Sequence, residues 1–233
     1  KLSEATEPPM KTISVGAHTL GGETVLLRHE KSLVNKNLFA AALCANMPDE
    51  EIDARLSESV AVDYERIGER MYVECILVNC PEEQPAERNI GVAKKAADKG
   101  RDILIRCGKP ELADEVITAV GGAVKVLIGA NASNYEAMNA VATKHSIVLG
   151  VGGEDLSDIH ATIEKLEAAG NKNLMIDVGT KSIKDAFAAA VQIRRAALKD
   201  DDRTFGYPAI VIVDLLAKDD PLMQAALAAL FTL

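Results

Sequence analysis

The chain runs to 233 residues, 48% of them hydrophobic, with a formal net charge of -9. That length suits one large α/β domain, the apolar content excludes general disorder, and an acidic balance with no dense Lys/Arg cluster excludes nucleic acid as a partner. Aromatic residues make up only 3% and Trp is absent, so the core must be built from Ala, Val, Ile and Leu, the residues of parallel sheets and their covering helices.

Residues 1–22 are polar and carry Pro8-Pro9, which does not fit a secretory signal. A β-like stretch over 11–15 followed by Leu20-Gly21-Gly22 predicts a hairpin lead-in. Residues 23–233 then read as one domain in which short apolar runs alternate with amphipathic stretches, the pattern of βα units. Strands are expected at 24–28, 72–78, 103–106, 124–128, 147–151, 174–178 and 209–213. Among the helices, Leu156, Ile159, Ile163 and Leu166 step by three and four, as one helical face requires, and Gly170 stops that helix. Ser133 with Glu136 and Ser182 with Asp185 stand at capping-box spacing, and Gly100, Gly121 and Gly206 sit where left-handed caps close helices.

Seven βα units without a long crossover predict a TIM (β/α)8-type barrel in preference to a doubly wound open sheet. The sequence stops at Leu233 inside an apolar helical stretch, 222–233, so the expectation is an incomplete barrel whose eighth strand is missing. Unpaired edge strands and a half-covered terminal helix would follow from that.

Cys44, Cys75, Cys80 and Cys107 include no C-x-x-C pair and no neighbouring His, so zinc or iron–sulfur ligation is not expected within the chain. They read as small buried hydrophobes in a reducing cytosol. No apolar run approaches the roughly 20 residues that span a bilayer, so no membrane association is expected and the protein is assigned to the cytoplasm.

In a barrel the C-terminal strand ends converge on one mouth, where sites of this fold are built. The polar residues expected there are Arg28, His29, Glu30, Asn79, Arg106, Asn131, Glu154, Asp155, Asp177 and Thr180. None forms a recognisable catalytic set. Asn79, Asn131 and Asp177 are the substrate-binding candidates, because amides and a carboxylate can orient a heterocycle's N–H groups. The competing readings are local: Asp177 accepts from its own following loop and Asn131 belongs to the turn entering its helix. Gly150-Val-Gly152-Gly153 reads as a tight βα turn, since Asp155 occupies the third glycine position of a dinucleotide fingerprint. His29 lies in a charged loop with no nucleophile beside it, and Lys125, the one lysine considered for Schiff-base chemistry, reads better as a snorkelling strand lysine.

The run Gly21-Gly22-Glu23-Thr24-Val25-Leu26-Leu27-Arg28-His29-Glu30-Lys31, with Pro8-Pro9-Met10-Lys11 before it, resembles the start of the barrel domain in the large (gamma) subunit family of the corrinoid iron–sulfur protein, part of the acetyl-CoA decarbonylase/synthase system. Asp177-Val-Gly-Thr-Lys181, Gln192-Ile-Arg-Arg-Ala-Ala-Leu-Lys199 and Phe205-Gly-Tyr-Pro208 resemble the same family in the same order. The resemblance implies carriage of a methyl group on a corrinoid (cobalamin) from a methyltetrahydropterin to acetyl-CoA synthase, as in the reductive acetyl-CoA pathway, with a four-iron, four-sulfur cluster that rescues oxidised cobalt. It also implies a small (delta) subunit and a methyltransferase as partners. The family's Cys-rich N-terminal and corrinoid-binding C-terminal regions have no counterpart in this sequence, so no cofactor ligand carries over and neither cofactor is expected on this chain. Two readings follow: a scaffold and docking barrel that breaks no bonds, or a pterin-binding methyltransferase barrel holding methyltetrahydrofolate or methyltetrahydrosarcinapterin at Asn79, Asn131 and Asp177.

Overall fold

The computed structural model describes residues 10–22, 35–179 and 181–232. Its internal contacts divide the chain into a central unit, Leu38–Ala130 with Asn134–Leu149, and a terminal unit, Lys1–Asn37 with Asn131–Ser133 and Gly150–Leu233.

The terminal unit opens with an antiparallel hairpin, β1 (Thr12–Val15) and β2 (His18–Gly21). Ile13 and Val15 alternate inward and are buried, the period-2 pattern of a half-covered strand.

The central unit follows as β3 (Ala40–Cys44), α1 (Asp49–Ala61), β4 (Asp63–Arg66), β5 (Glu69–Tyr72), β6 (Cys75–Asn79), α2 (Ala86–Ala97), β7 (Asp102–Arg106), α3 (Pro110–Val120), β8 (Val124–Ala130) and α4 (Tyr135–His145). β3, β6, β7 and β8 pair in parallel, with Cys44, Asn79 and Arg106 in register. Ile76, Ile103, Ile105 and Leu127 are fully buried on one face of the sheet and Ile128 on the other, each stabilising the fold by about 1.5–3 kcal/mol. Helix starts are chemically marked: Asp49, Glu50 and Glu51 complement the positive end of α1, and Pro110 occupies the first turn of α3, where no N–H is needed. β4 and β5 form a separate two-stranded ribbon.

β9 (Val148–Val151) leads into the rest of the terminal unit: α5 (Leu156–Ala168), β10 (Leu174–Asp177), α6 (Ile183–Lys199), a 3-10 turn (Arg203–Gly206), β11 (Ala209–Ile210), the single turn α7 (Val213–Leu216) and α8 (Pro221–Thr232). Ile163, Leu166, Leu174 and Ile176 are among its fully buried aliphatics. The seven-stranded sheet has the order β11-β10-β9-β8-β7-β6-β3, sequential parallel strands with helices between them, the α/β barrel class predicted.

Among the described residues the sheet has seven strands, and their positions depart from expectation in places. The predicted strand 24–28 lies outside the described residues, and the first strand of the sheet among the described residues is Ala40–Cys44, an Ala-Ala-Ala-Leu-Cys run whose composition disguises it. The span 72–78 holds two elements, since Tyr72 ends β5 and β6 starts only at Cys75. The predicted strand 209–213 keeps two residues, and Val213 already opens α7. Ser133 does not cap α4: Asn134 holds the cap position, and Ser133 donates instead to Asn131. Ser182 does cap α6, accepting from the Asp185 N–H at 3.0 Å. Gly100 and Gly121 take positive φ after their helices, whereas Gly206 belongs to the 3-10 turn.

Candidate functional site

In the central unit the strand ends carry a row of polar side chains across β3, β6 and β7. Arg106 Nη1 donates to Asn79 Oδ1 at 3.2 Å, and Asn79 Nδ2 donates to Cys44 Sγ at 3.4 Å. Arg106 Nε is buried with no hydrogen-bond partner. The parallel register produces this row, because residues at equal height on adjacent strands point the same way.

The loops behind the row are tied to side chains that reach back from the helices. Arg88 of α2 donates to the carbonyls of Ala45 at 3.1 Å and Met47 at 2.7 Å and to Asp49 Oδ1 at 2.6 Å, fixing the β3–α1 loop. Buried Asn89 donates to Pro81 and Gln84 carbonyls at 3.2 and 3.4 Å. Asn134 bridges the carbonyls of Gly108 at 2.8 Å and Gly129 at 3.1 Å. Gly129, at φ 130°, lets β8 pass so close that an added Cβ would lie 2.3 Å from the Cys107 carbonyl oxygen. Sequence reading missed Arg88, Asn89 and Asn134. Arg88 meets partners about forty positions away, for which no local signal exists.

Cys80 and Cys107 follow the ends of β6 and β7, and Cys75 opens β6. Burial pushes the Cys75 and Cys80 thiols up to about 12 and raises Cys107 as well. Burial thus favours the neutral thiol at all three, in keeping with small buried hydrophobes. Among the described residues no group of three or more His, Cys, Asp or Glu is placed to hold a metal ion.

In the terminal unit, Asp177 ends β10 with 8% of its surface exposed, and its Oδ1 accepts from the Gly179 N–H at 2.9 Å. Asn131 Oδ1 accepts from the Ser133 N–H at 2.9 Å and hydroxyl at 2.6 Å. Both thus make the local bonds that compete with a ligand role, and the three predicted mouth residues divide between the units: Asn79 in one, Asn131 and Asp177 in the other. Gly152 packs beside Asp177, and at Gly153 an added Cβ would meet Asp158 Cβ at 2.9 Å and Ile159. The glycines therefore serve a tight turn into α5, whose first turn Asp155 caps. Glu154 is held by Lys181, which donates to its carbonyl and carboxylate, each at 2.7 Å. Arg28, His29, Glu30 and Thr180 lie outside the described residues. Lys125 sits at the start of β8, donating to the Gly122 carbonyl at 2.5 Å, which removes it from the strand ends where Schiff-base chemistry would be built.

The opposite ends of β10 and β11 carry a different cluster. Lys11 pairs with Glu167, Tyr207 donates to Glu167 Oε1 at 2.6 Å, and the Lys11 ammonium stands 3.8 Å from the Tyr207 ring centroid. Burial alone would raise the Glu167 carboxyl, but the hydrogen bonds from Lys11 and Tyr207 hold it below the usual range. Burial, then Glu167, pushes the Tyr207 phenol up.

Sequential parallel strands alternating with covering helices, and polar groups gathered at their C-terminal ends, define a protein of the (β/α)-barrel class. Solved structures agree at the level of fold: dihydropteroate synthase from Thermus thermophilus superposes with a TM-score of 0.63 at 18% identity over 95% of this chain and 89% of that one. The 7,8-dihydropteroate synthase of Vibrio fischeri does so at 0.61 and 14%, over 95% and 89%. The chain belongs to the CO dehydrogenase/acetyl-CoA synthase delta subunit family, which matches residues 14–221. It is similar to the corrinoid/iron–sulfur protein large subunit of Moorella thermoacetica, 29% identical over 96% of this chain and 51% of that protein. The acetyl-CoA decarbonylase/synthase complex gamma subunits of Archaeoglobus fulgidus and Methanopyrus kandleri are 23% and 25% identical, over 91% and 97% of this chain and 46% and 50% of theirs. The chain thus spans about half the length of the curated relatives it matches.

Proposed function

We propose that this chain is the barrel part of a corrinoid methyl-carrier subunit and acts as a scaffold and docking module between a methyltetrahydropterin and acetyl-CoA synthase, without breaking bonds itself. The match that runs through nearly the whole chain yet occupies half of each relative carries the reading. The strand ends support it, because among the described residues their side chains are engaged in holding loops and offer no nucleophile paired with a base. The corrinoid and the four-iron, four-sulfur cluster belong to other parts of the assembled subunit on this proposal. Its partners are the small (delta) subunit, the methyltransferase and acetyl-CoA synthase, and its compartment is the cytoplasm. No helix among the described residues is long and apolar enough to cross a membrane.

The rival reading gives the barrel a bound pterin of its own, and the dihydropteroate synthase likeness supports it only through the fold. Calorimetric titration with methyltetrahydrofolate and methyltetrahydrosarcinapterin separates the two. The scaffold reading expects no saturable binding. Micromolar binding that disappears in Asp177→Ala would replace it with the pterin-binding one.

A further inference from the structure

The β4–β5 ribbon is the least explained part of the molecule. Every residue from Val60 to Met71 is exposed, yet β4 and β5 hold full antiparallel register: Asp63 with Tyr72, Tyr64 with Met71, Glu65 with Arg70 and Arg66 with Glu69. An isolated two-stranded ribbon is at best marginally stable in water. This one is braced at its base by a two-pronged Arg70–Asp63 ion pair, at 2.7 and 2.6 Å, and by the Arg70 and Arg101 guanidiniums 4.6 and 5.5 Å from the Tyr72 ring. At the tip, Ile67 takes φ 54° ahead of Gly68 at 75°. A two-residue turn of that shape favours Asn or Asp in the first position, and a β-branched side chain is strained there. Ile67 is nonetheless 93% exposed. The ribbon thus carries a strained apolar tip into solvent.

Strand alternation places Tyr64 and Arg66 on one face with Glu69 and Met71, and Val62 directly precedes β4. Val62, Tyr64 and Met71 are exposed hydrophobics, and Arg66 makes no ion pair among the described residues. This face is complementary to itself. If a second copy is turned about a two-fold axis parallel to the ribbon, each β4 comes to lie over the partner's β5. Tyr64 then meets Met71, Arg66 meets Glu69 and the two Ile67 tips stand together, each contact made twice, as an isologous interface requires. The alternative axis, across the ribbon, would set Arg66 over Val62 and lose both matches. We infer that this ribbon face is a self-association surface whose occupant is a second copy of this chain, seated by Tyr64–Met71 packing and reciprocal Arg66–Glu69 ion pairs.

Sedimentation of the full chain over a concentration series, reaching about 100 µM because a contact this small binds weakly, tests the inference. The expected result is a reversible monomer–dimer equilibrium weakened by salt. Arg66→Glu and Glu69→Arg should each weaken it roughly tenfold, since like charges then face each other. Either substitution also sets like charges within its own ribbon, so the decisive sample is the mixture of the two variants. Arg66→Glu chains should pair with Glu69→Arg chains and restore dimerisation, which a purely internal effect cannot do. Wild-type protein that stays monomeric, dimers indifferent to both substitutions, or variants whose association is not recovered on mixing would each overturn the proposal.

Discussion

The two ends of the β-strands both carry polar chemistry and use it differently. At the starts of β10 and β11, Lys11, Glu167 and Tyr207 bond to one another, and each is the principal partner of the next. At the ends of β3, β6, β7 and β10, side chains bond mainly to loop main chain: Arg88, Asn89 and Asn134 to carbonyls, Asp177 to an N–H. The first arrangement is a clasp, in which losing one member strands the others. The second is a frame, in which each side chain positions one loop and leaves Arg106 incompletely bonded. Polar side chains therefore anchor one another at the strand starts and set loop shape at the strand ends, the division expected of barrels whose variable chemistry sits at the C-terminal face.

The largest effect should come from the frame's tightest point. Gly129→Ala drives a methyl group into the Cys107 carbonyl at a backbone conformation that disfavours any side chain, and should cost about 3 kcal/mol in urea unfolding. A cost under about 1 kcal/mol would mean β7 and β8 shift freely and the frame is not rigid. Next, Glu167→Gln should cost about 2 kcal/mol, because the Tyr207 hydroxyl and Lys11 ammonium lose their shared charged acceptor.

The clasp also has a pH signature. The folded-state pKa of Glu167 is depressed, so its contribution is fully present above the ordinary carboxylate range and is lost as pH falls through the folded value. Wild type and Glu167→Gln should accordingly differ in stability at neutral pH and converge under acid. A difference that persists unchanged into acid would show that packing, not charge, accounts for the clasp. Asp177→Ala comes lower, at about 1 kcal/mol, the worth of one loop hydrogen bond.

The sequence carried the fold where periodicity was strong. Fully buried runs such as Ile103–Ile105 and the three-four stepping of α5 have few alternative readings. It failed where composition and structure disagree: three alanines favour a helix intrinsically, so β3 is recognisable only through its pairing with β6. The β4–β5 turn was invisible for a related reason, because Ile67-Gly68 lacks the Asn or Asp that marks such turns. Site residues were legible only by position. Asn79, Arg106 and Asp177 could be placed at strand ends from the strand pattern, but the Arg106–Asn79 bond depends on register between strands, which no local signal encodes. The resemblance motifs tell a similar story. Lys11 and Phe205-Gly-Tyr-Pro208 lie far apart in sequence and meet at the clasp, where Lys11 N–H donates to the Gly206 carbonyl at 2.7 Å.

The smallest expected effect is the one that most sharpens the contrast between clasp and frame. Arg106 holds Asn79 through one nitrogen while its Nε is buried and unbonded. A guanidinium in that state gains little from its surroundings and bears a desolvation cost. Arg106→Met keeps most of the side chain's apolar stem, removes the charge and leaves Asn79 its contact with Cys44. Unfolding free energy should change by less than about 1 kcal/mol, with either sign. A loss as large as that of Glu167→Gln would show that Arg106 anchors the strand ends as Glu167 anchors the strand starts. The two ends would then be equivalent in energy, and the incomplete bonding of Arg106 would reflect close packing instead of a polar group held in place for its shape.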